Sequence, residues 1–255
     1  MANNVDYDMD TDTYACKTYG LDGFVDVQSM ANADAPLNPL ADKTDYVLQG
    51  MMWRREKRIA AIMTNAANYG ANTLALNPGD EWDSASGGAP VENIHYAIDN
   101  MFEGRGDTLR IGFCSINVYR VLSRHPQIRA LYNTASGGPA PGLVPREIIA
   151  KFFELDDLLV GRSRERTSNK GAASATYARI FGDVFGVVHV AKNPGPYSLS
   201  FGQTFSFRDS NIAAVKVKFH EDRGFAGAYQ VIVRASEDHK IVAPTAGFLI
   251  TNCLV

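Results

Sequence analysis

Residues 38–68 read NPLADKTDYVLQGMMWRREKRIAAIMTNAAN, and this stretch decides the fold. Asn38 is a suitable N-cap and Pro39 a suitable first helical residue, so the sequence predicts a helix that begins here. Asn68, followed by Tyr69 and Gly70, predicts its end. Such a helix would be about 45 Å long, whereas a typical globular helix has about 11–12 residues. We therefore expect it to lie along a sheet or against other subunits. The apolar residues that recur along it at three- and four-residue steps, forming one stripe, are Val47, Leu48, Met51, Met52, Ile59, Ile62, Met63 and Ala66.

The composition restricts the class of protein. The chain has 255 residues, 45% of them hydrophobic, and a net charge of −3, which allows one or two domains with a sizeable core. The mild negative charge disfavours a protein whose main task is to grip nucleic acid. Three distant cysteines, Cys16, Cys114 and Cys253, favour a reducing interior over a disulfide scaffold or zinc site. No apolar run approaches the roughly 20 residues that span a bilayer, so no membrane partner is predicted.

The first 37 residues are acidic and carry little apolar periodicity. Phe24, Val25 and Val27 predict one short strand at most. A segment with so few core-forming residues is not expected to fold alone. We interpret it as an arm that becomes ordered against something else, or as a frayed terminus. The acidic residues of the segment are Asp6, Asp8, Asp10, Asp12, Asp22, Asp26 and Asp34.

The remainder mixes helices with strands. Apolar spacing predicts a helix over 91–102, a helix after Ser115 that Pro126 interrupts, and a short helix after Pro145. Because the strands cluster in the last 75 residues and do not alternate with helices, the fold class is α+β. The predicted strands are 72–76, 109–113, 158–160, 184–190, 198–207, 213–219, 228–233 and 248–253.

The search for catalytic motifs finds no phosphate-binding loop, no H-E-x-x-H and no nucleophile elbow. Asp80, Glu81 and Asp83 surround Trp82 without a nearby histidine or lysine, which favours a solvated loop anchored by the tryptophan over an acid–base or cation site. Cys114 follows an apolar strand, which favours a small buried side chain over a nucleophile. A soluble enzyme that uses Cys114 or the three acids is a distant alternative. No cofactor or metal is predicted.

Two basic runs favour contacts between subunits. One run lies in the middle of the long helix, and in the other arginines alternate along an extended segment, which places them on one face. Nucleic-acid binding would call for interleaved aromatics or a strong positive field. Arginine binds carboxylates bidentately, so we expect these residues to meet acidic surfaces, such as the N-terminal aspartates, of another copy. The predicted subunit-interface residues are Arg54, Arg55, Lys57, Arg58, Arg162, Arg164, Arg166, Asp22 and Asp26.

Short motifs in a fixed order carry a resemblance to a known family. They are NADAP at 32–36 before the long helix, EWD at 81–83, PVENI at 90–94, LRIG at 109–112, VLSRHP at 121–126, LVPRE at 143–147, LVGR at 159–162, YSLSFG at 197–202 and AGFLITN at 246–252. Taken in this order, over roughly residues 20–255, they resemble a tailed-bacteriophage major capsid protein of the Hong Kong ninety-seven type.

The resemblance implies a tailed-phage capsid fold with three parts. A peripheral domain, holding the long spine helix and a β-hairpin sheet, would span 38–106 and 205–240. An axial domain would span 107–204 and 241–255, and residues 1–37 would be an N-terminal arm or the remnant of an extended loop. In this family a longer region usually precedes the spine helix, so the resemblance implies a processed or unusually short N-terminal region.

The resemblance also implies a viral structural protein rather than an enzyme. Such a protein self-assembles into pentamers and hexamers that form the icosahedral capsid shell around phage DNA. Its partners would be many copies of itself in capsomers, portal, scaffold or decoration proteins, and DNA held by weak non-specific contact. It would be assembled in the host bacterial cytoplasm and located in the virion. The alternative on the same fold is an encapsulin-like bacterial nanocompartment shell protein, which would need a groove for a cargo peptide.

Overall fold

The structure, a computed structural model, shows a mixed architecture in two compact units. The first unit comprises Met1–Met52 and Thr204–Lys240, and the second comprises Trp53–Gln203 and Ile241–Val255. The predicted α+β class is confirmed, whereas the division into arm, peripheral and axial domains stays a prediction. The residues that the structure describes are 12–84, 88–102, 108–136, 142–169, 171–193, 195, 198–207 and 214–255.

Within these residues the chain forms six α-helices and eleven β-strands. The helices are α1 (Val27–Ala31), α2 (Pro39–Met63), α3 (Pro90–Asp99), α4 (Ile116–Leu122), α5 (Pro126–Ser136) and α6 (Arg146–Phe152), with 3-10 turns at Ala66–Tyr69 and Pro244–Ala246. The strands are β1 (Lys17–Asp26), β2 (Thr73–Ala75), β3 (Thr108–Ser115), β4 (Asp157–Gly161), β5 (Arg164–Arg166), β6 (Tyr177–Arg179), β7 (Phe185–Ala191), β8 (Gly202–Ser206), β9 (Ala214–His220), β10 (Ala228–Ile241) and β11 (Gly247–Thr251). None of the described helices is both long and apolar enough to cross a membrane.

The long helix α2 begins where the sequence predicts and ends earlier. The Asn38 side chain accepts a hydrogen bond of 3.2 Å from a backbone amide of the first turn. The prediction that the helix continues to residue 68 was wrong, because α2 ends at Met63. Two of its last carbonyls are satisfied by side chains of the following 3-10 turn: the Asn68 amide donates to Ile62 O and the Tyr69 hydroxyl donates to Met63 O, both at 2.7 Å. These two bonds supply partners for carbonyls that the end of an α-helix leaves without an intrahelical donor.

The first unit is built on a sheet with β10 at its centre. β1 pairs antiparallel with β10 along all ten of its residues, from Lys17 opposite Glu237 to Asp26 opposite Ala228. β8 and β9 also pair with β10, and β9 and β10 form a hairpin. The prediction that Phe24, Val25 and Val27 form one short strand is confirmed for Phe24 and Val25 and wrong for Val27, which begins α1. The strand is also longer than predicted, because pairing with β10 extends it over polar residues back to Lys17. The core of the unit contains Val47, Met51, Val233 and Ala235, two from α2 and two from β10.

The second unit contains a mixed five-stranded sheet in the order β2-β11-β7-β3-β4. β11 is parallel to β2 and antiparallel to β7, and β3 is antiparallel to β7 and parallel to β4. Helices α3 to α6 contribute to a core that includes the fully buried residues Ile94, Leu122, Ile149, Phe185 and Ile250. The break predicted at Pro126 is confirmed, since α4 and α5 are separate helices. A separate two-stranded sheet pairs β5 with β6.

Candidate assembly surfaces

The arginines at 162, 164 and 166 lie on one face of an extended segment, as the alternation predicts. All three are exposed, whereas the intervening Ser163 and Glu165 are half-buried. β5 covers the middle of this segment and pairs antiparallel with β6. We call Arg162, Arg164, Arg166 and the neighbouring Arg179 the arginine strap.

The inner face of the strap contacts α2 within the second unit. Ser163 Oγ donates a hydrogen bond of 2.8 Å to the Glu56 carboxylate. The Lys57 ammonium forms a salt bridge with the Glu165 carboxylate. The two basic runs of the sequence therefore meet in space, and Lys57 is engaged by an acid of its own chain. Its assignment to a subunit interface stays a prediction.

Positive charge is concentrated around the strap. Arg179 lies opposite Arg164 in the β5–β6 register and donates a hydrogen bond of 2.7 Å to Arg162 O. Desolvation lowers the pKa of Arg179, and the charges of Arg164 and Arg120 lower it further. Arg166 donates to Ser168 Oγ at 2.9 Å and to Asn169 O at 3.2 Å, so its guanidinium is held in the local loop. The exposed side chains of Arg162 and Arg164 make no hydrogen bond within the described part of the chain.

The remaining basic residues of α2 differ in exposure. Arg54 is exposed, whereas Arg55 and Arg58 are half-buried and interact with other groups of the chain. The assignment of Arg54, Arg55 and Arg58 to a subunit interface therefore stays a prediction.

The predicted acidic partners belong to the first unit. Asp22 accepts a hydrogen bond of 2.7 Å from the Gln230 side chain, whose oxygen lies 2.8 Å from His220 Nε2. Asp26 is exposed at the end of β1 and makes no side-chain cap to α1. Asp6, Asp8 and Asp10 lie outside the described residues. Asp12 accepts a hydrogen bond of 3.1 Å from Lys240, and this bond, more than any other effect, lowers the pKa of Asp12.

β9 carries an exposed apolar strip. The sequence predicts a strand over 213–219 but did not reveal this strip. Val215, Val217 and Phe219 have exposed fractions of 44%, 45% and 48%. Val215 and Val217 lie opposite Val233 and Val231 of β10, both of them fully buried. Facing residues of antiparallel strands project to the same side of a sheet. Val215, Val217 and Phe219 therefore continue the apolar face of β10, and they are exposed whereas Val231 and Val233 on that face are buried. The signal that could have found it is the alternation of apolar and basic residues in VKVKF at 215–219.

A groove of about 670 Å³ lies in the second unit, lined by the segment after Trp82 and by residues of α4 and α5. Its lining includes Arg120, Arg124 and His125. Burial lowers the pKa of His125, which favours the neutral imidazole near pH 7. Arg120 also acts on Arg179, so the positive region of the strap continues into this groove.

The enzyme alternative names Cys114 as a possible nucleophile. Cys114 is fully buried in the core of the second unit, and this burial raises the pKa of its thiol to about 12. A nucleophilic cysteine needs a lowered pKa and access to substrate. The described residues contain no group of three or more histidine, cysteine or acidic side chains that could hold a metal ion.

The acidic loop has a structural explanation. Trp82 is 1% exposed and makes an edge contact with Phe185 at 5.6 Å between ring centroids, which confirms the prediction of an anchoring tryptophan. Glu81 accepts a hydrogen bond of 2.6 Å from the Gly79 amide, and Asp83 accepts one of 3.0 Å from the Val255 amide. Asp80 is exposed, and its amide donates to Asn77 O.

No protein-family model matches the sequence, and a comparison with curated proteins finds no match. Solved structures match almost all of it. A phage-related protein from Bordetella bronchiseptica RB50 has a TM-score of 0.71 at 18% identity, over 94% of this chain and 76% of that one. The capsid of cyanophage P-SCSP1u has a TM-score of 0.59 at 11% identity, over 92% and 72% of the two chains.

This chain has the phage capsid fold. The capsid fold that the ordered motifs implied is therefore confirmed, together with its long helix and its β-hairpin. An encapsulin complex from Synechococcus elongatus PCC 7942 also matches, with a TM-score of 0.50 at 10% identity, over 93% of this chain and 74% of that one.

Proposed function

We propose that this chain is a viral structural protein that self-assembles into pentamers and hexamers, which form the icosahedral capsid shell around phage DNA. The observation that carries the proposal is the likeness to the cyanophage capsid over 92% of the chain, which includes both units. The role is that of a building block, and it requires no catalytic step.

The surfaces of both units support self-association. Large apolar side chains are exposed in each, among them Val217 and Phe219 in the first and Trp53 in the second. Aromatic side chains and arginine are enriched at protein interfaces. The arginine strap adds a cationic surface whose guanidinium groups suit carboxylates of a neighbouring subunit. Contacts of this head-to-tail kind close into rings, and rings close into shells.

The charge of the chain supports a container for DNA. A net charge of −3 gives little attraction for phosphates, so packaged DNA would make only weak, non-specific contact with the wall. In this proposal the protein belongs to the virion after assembly in the bacterial cytoplasm. Portal, scaffold and decoration proteins are the further partners that such a shell would meet.

The experiment is to produce the full chain in bacteria and measure its mass by size-exclusion chromatography with light scattering, followed by negative-stain imaging. We expect rings or closed particles of many copies. A monodisperse 27.8 kDa monomer that forms no particle at high protein concentration would refute the proposal.

The encapsulin likeness supports a second candidate, the shell of a bacterial nanocompartment. The two candidates differ in what the particle holds. Nuclease-protected DNA in purified particles supports the viral capsid. Stoichiometric incorporation of one host enzyme through a short terminal peptide, with no protected DNA, supports the nanocompartment.

A further inference from the structure

Two arginines line the groove of about 670 Å³ in the second unit. Arg120 lies in the last turn of α4, and Arg124 lies two residues beyond the helix, where its amide donates a hydrogen bond of 3.1 Å to Val121 O. Residues four positions apart project to the same side of a helical turn. Within the part of the chain that the structure describes, neither guanidinium forms an ion pair, so both charges are available to a ligand.

Two helices begin on the wall of the same groove. α3 follows Ala89, which has no side chain that could cap it, and α5 begins with Pro126 and Gln127; all three residues line the groove. The first turn of a helix presents backbone amides without helical partners and the positive end of the helix dipole. The Gln127 side-chain oxygen accepts a hydrogen bond of 3.4 Å from Val91 N, so its NH₂ group is the part left to donate. Both helix starts therefore favour an anion in the groove.

A buried donor belongs to the same wall. Trp82 is 1% exposed and lines the groove, and its indole Nε1 is buried without a hydrogen-bond partner among the described residues. Buried polar groups nearly always have a partner, and an unsatisfied one costs roughly 1–3 kcal/mol. A ligand in the groove that carries an acceptor atom would supply the missing partner.

The acceptor groups of the groove are engaged by the protein itself. Asp83 is the acidic residue among the described lining residues, and one of its carboxylate oxygens accepts a hydrogen bond of 3.0 Å from the Val255 amide. His125 Nδ1 accepts one of 3.3 Å from the Gln127 amide. The groups left for a ligand are therefore mainly donors and positive charges, to which an anion is complementary.

We propose that this groove binds the phosphate group of a small organic phosphate monoester. Two guanidiniums, an indole N–H and two helix starts offer more donors than the two oxygens of a carboxylate can use. A phosphate monoester has three terminal oxygens and a charge of about −1.5 to −2 at pH 7. Small-molecule sites have volumes of roughly 300–1,000 Å³. The groove is of this size, so it has room beside the phosphate for an organic group against Val121 and Pro126.

The inference goes beyond the proposed function and does not depend on it, because phosphate binding can be measured whether or not the chain forms particles. The failure of one therefore leaves the other standing.

A fluorescence titration of the full chain tests the site. Trp53 and Trp82 are the two tryptophans of the sequence, and Trp53 is exposed, so a Trp53→Phe chain reports on Trp82 alone. The probes are 5′-AMP, ribose 5-phosphate, inorganic phosphate and adenosine, and calorimetry gives the number of sites. We expect one saturable site per chain, with a change in Trp82 emission, and no binding of adenosine. At least one of the two esters should bind about tenfold more tightly than inorganic phosphate.

Two results of this titration would overturn the proposal. Equal affinities for inorganic phosphate and both esters would show that the organic group makes no contact and that the ligand is the free ion. If none of the three phosphates saturates the protein below about 10 mM, the groove is not a phosphate site.

Neutral substitutions locate the bound phosphate. Arg120→Gln and Arg124→Gln should each weaken the binding of the tighter ester by about 10–100-fold, because each removes a charge-assisted hydrogen bond. Arg129→Gln is the matched control, since Arg129 is exposed on α5 and does not line the groove. It should bind like the wild type. Unchanged affinity in both groove variants, or an equal loss in the control, would refute the groove as the binding site.

Discussion

Ser163 Oγ lies 2.8 Å from a Glu56 carboxylate oxygen, and this hydrogen bond ties the arginine strap to the long helix. Alternation along an extended segment leaves only two orientations for the strap. With Ser163 bonded to α2, the neighbouring Arg162 and Arg164 must project away from the helix. The salt bridge between Lys57 and Glu165 likewise holds the Glu165 side chain against α2, so that Arg164 and Arg166 on either side of it face away from the helix. The exposed cationic face therefore depends on two polar contacts inside the chain.

Removing the serine hydroxyl tests this dependence. Ser163→Ala deletes a hydrogen bond to a charged group, which contributes roughly 1.5–3 kcal/mol in typical proteins and less at a partly exposed site. We expect a fall of about 2–6 °C in the melting temperature, measured by calorimetry, and a lower rate of particle formation. Ser29→Ala, at an exposed position of α1, is the matched control and should melt like the wild type. An unchanged melting temperature for Ser163→Ala would show that the bond does not hold the strap.

Reversing the charge of the strap should affect assembly and spare folding. Arg164 is exposed, so Arg164→Glu should change the free energy of unfolding by no more than about 0.5 kcal/mol. At a carboxylate-lined interface the same change places like charges together, so we expect a large loss of particle yield in light scattering. Arg129→Glu, at another exposed arginine on α5, provides the comparison. Equal particle yields for Arg164→Glu and the wild type would remove the strap from the interface.

The long helix illustrates what local sequence can and cannot predict. Its start depends on Asn38 and Pro39, which act within one turn, so capping rules locate it correctly. Its end depends on the side chains of Asn68 and Tyr69, which fold back to carbonyls six residues earlier. The apolar periodicity is the same in two cases: a helix that continues to residue 68, and a helix that ends at Met63 and has its last carbonyls bonded by side chains of the following turn.

The central strand of the first unit shows a second reason why the bounds of an element could not be predicted from local sequence. β10 was predicted over 228–233 and extends to Ile241 through the polar run 236–240. Two partners, β1 and β8, support that run, and both are distant in sequence. The orientation of the strap was predictable from alternation alone, but its contact with α2 required the tertiary fold. The exposed apolar face of β9 was not predicted, because the alternation of residues in a strand does not show whether another element covers its apolar face.

Close packing of the second unit can be tested at Gly186. A Cβ atom at this position would lie 2.3 Å from Cζ of the Phe113 ring, on the neighbouring strand β3. Phe113 is buried, so the ring cannot move without displacing the core, and Gly186→Ala should cost about 1–3 kcal/mol in the free energy of unfolding. Gly142→Ala is the control, because nothing lies within 4 Å of its added Cβ. Chemical denaturation measures both; similar stabilities for the two variants would contradict the close contact.

The buried thiols predict a decline in stability at alkaline pH. Burial raises the pKa of Cys114 to about 12, and burial also raises the pKa of Cys253. In the unfolded chain a thiol titrates near pH 8.5, so above that pH the folded state retains protons that the unfolded state has lost. Stability must then fall as pH rises, by a slope that approaches about 1.4 kcal/mol per pH unit for each thiol.

The test of this decline is chemical denaturation at several pH values between 7.5 and 9, below the range in which most unfolded tyrosines titrate. Cys114→Ala removes one of the two buried thiols, so its stability should decline with a visibly smaller slope than that of the wild type, whatever its stability at pH 7.5. Cys253→Ala, which removes the other buried thiol, should also decline with a smaller slope than the wild type. If Cys114→Ala and the wild type decline equally, Cys114 is not the protonated core residue that its burial requires, and a reactive thiol at this position would have to be reconsidered.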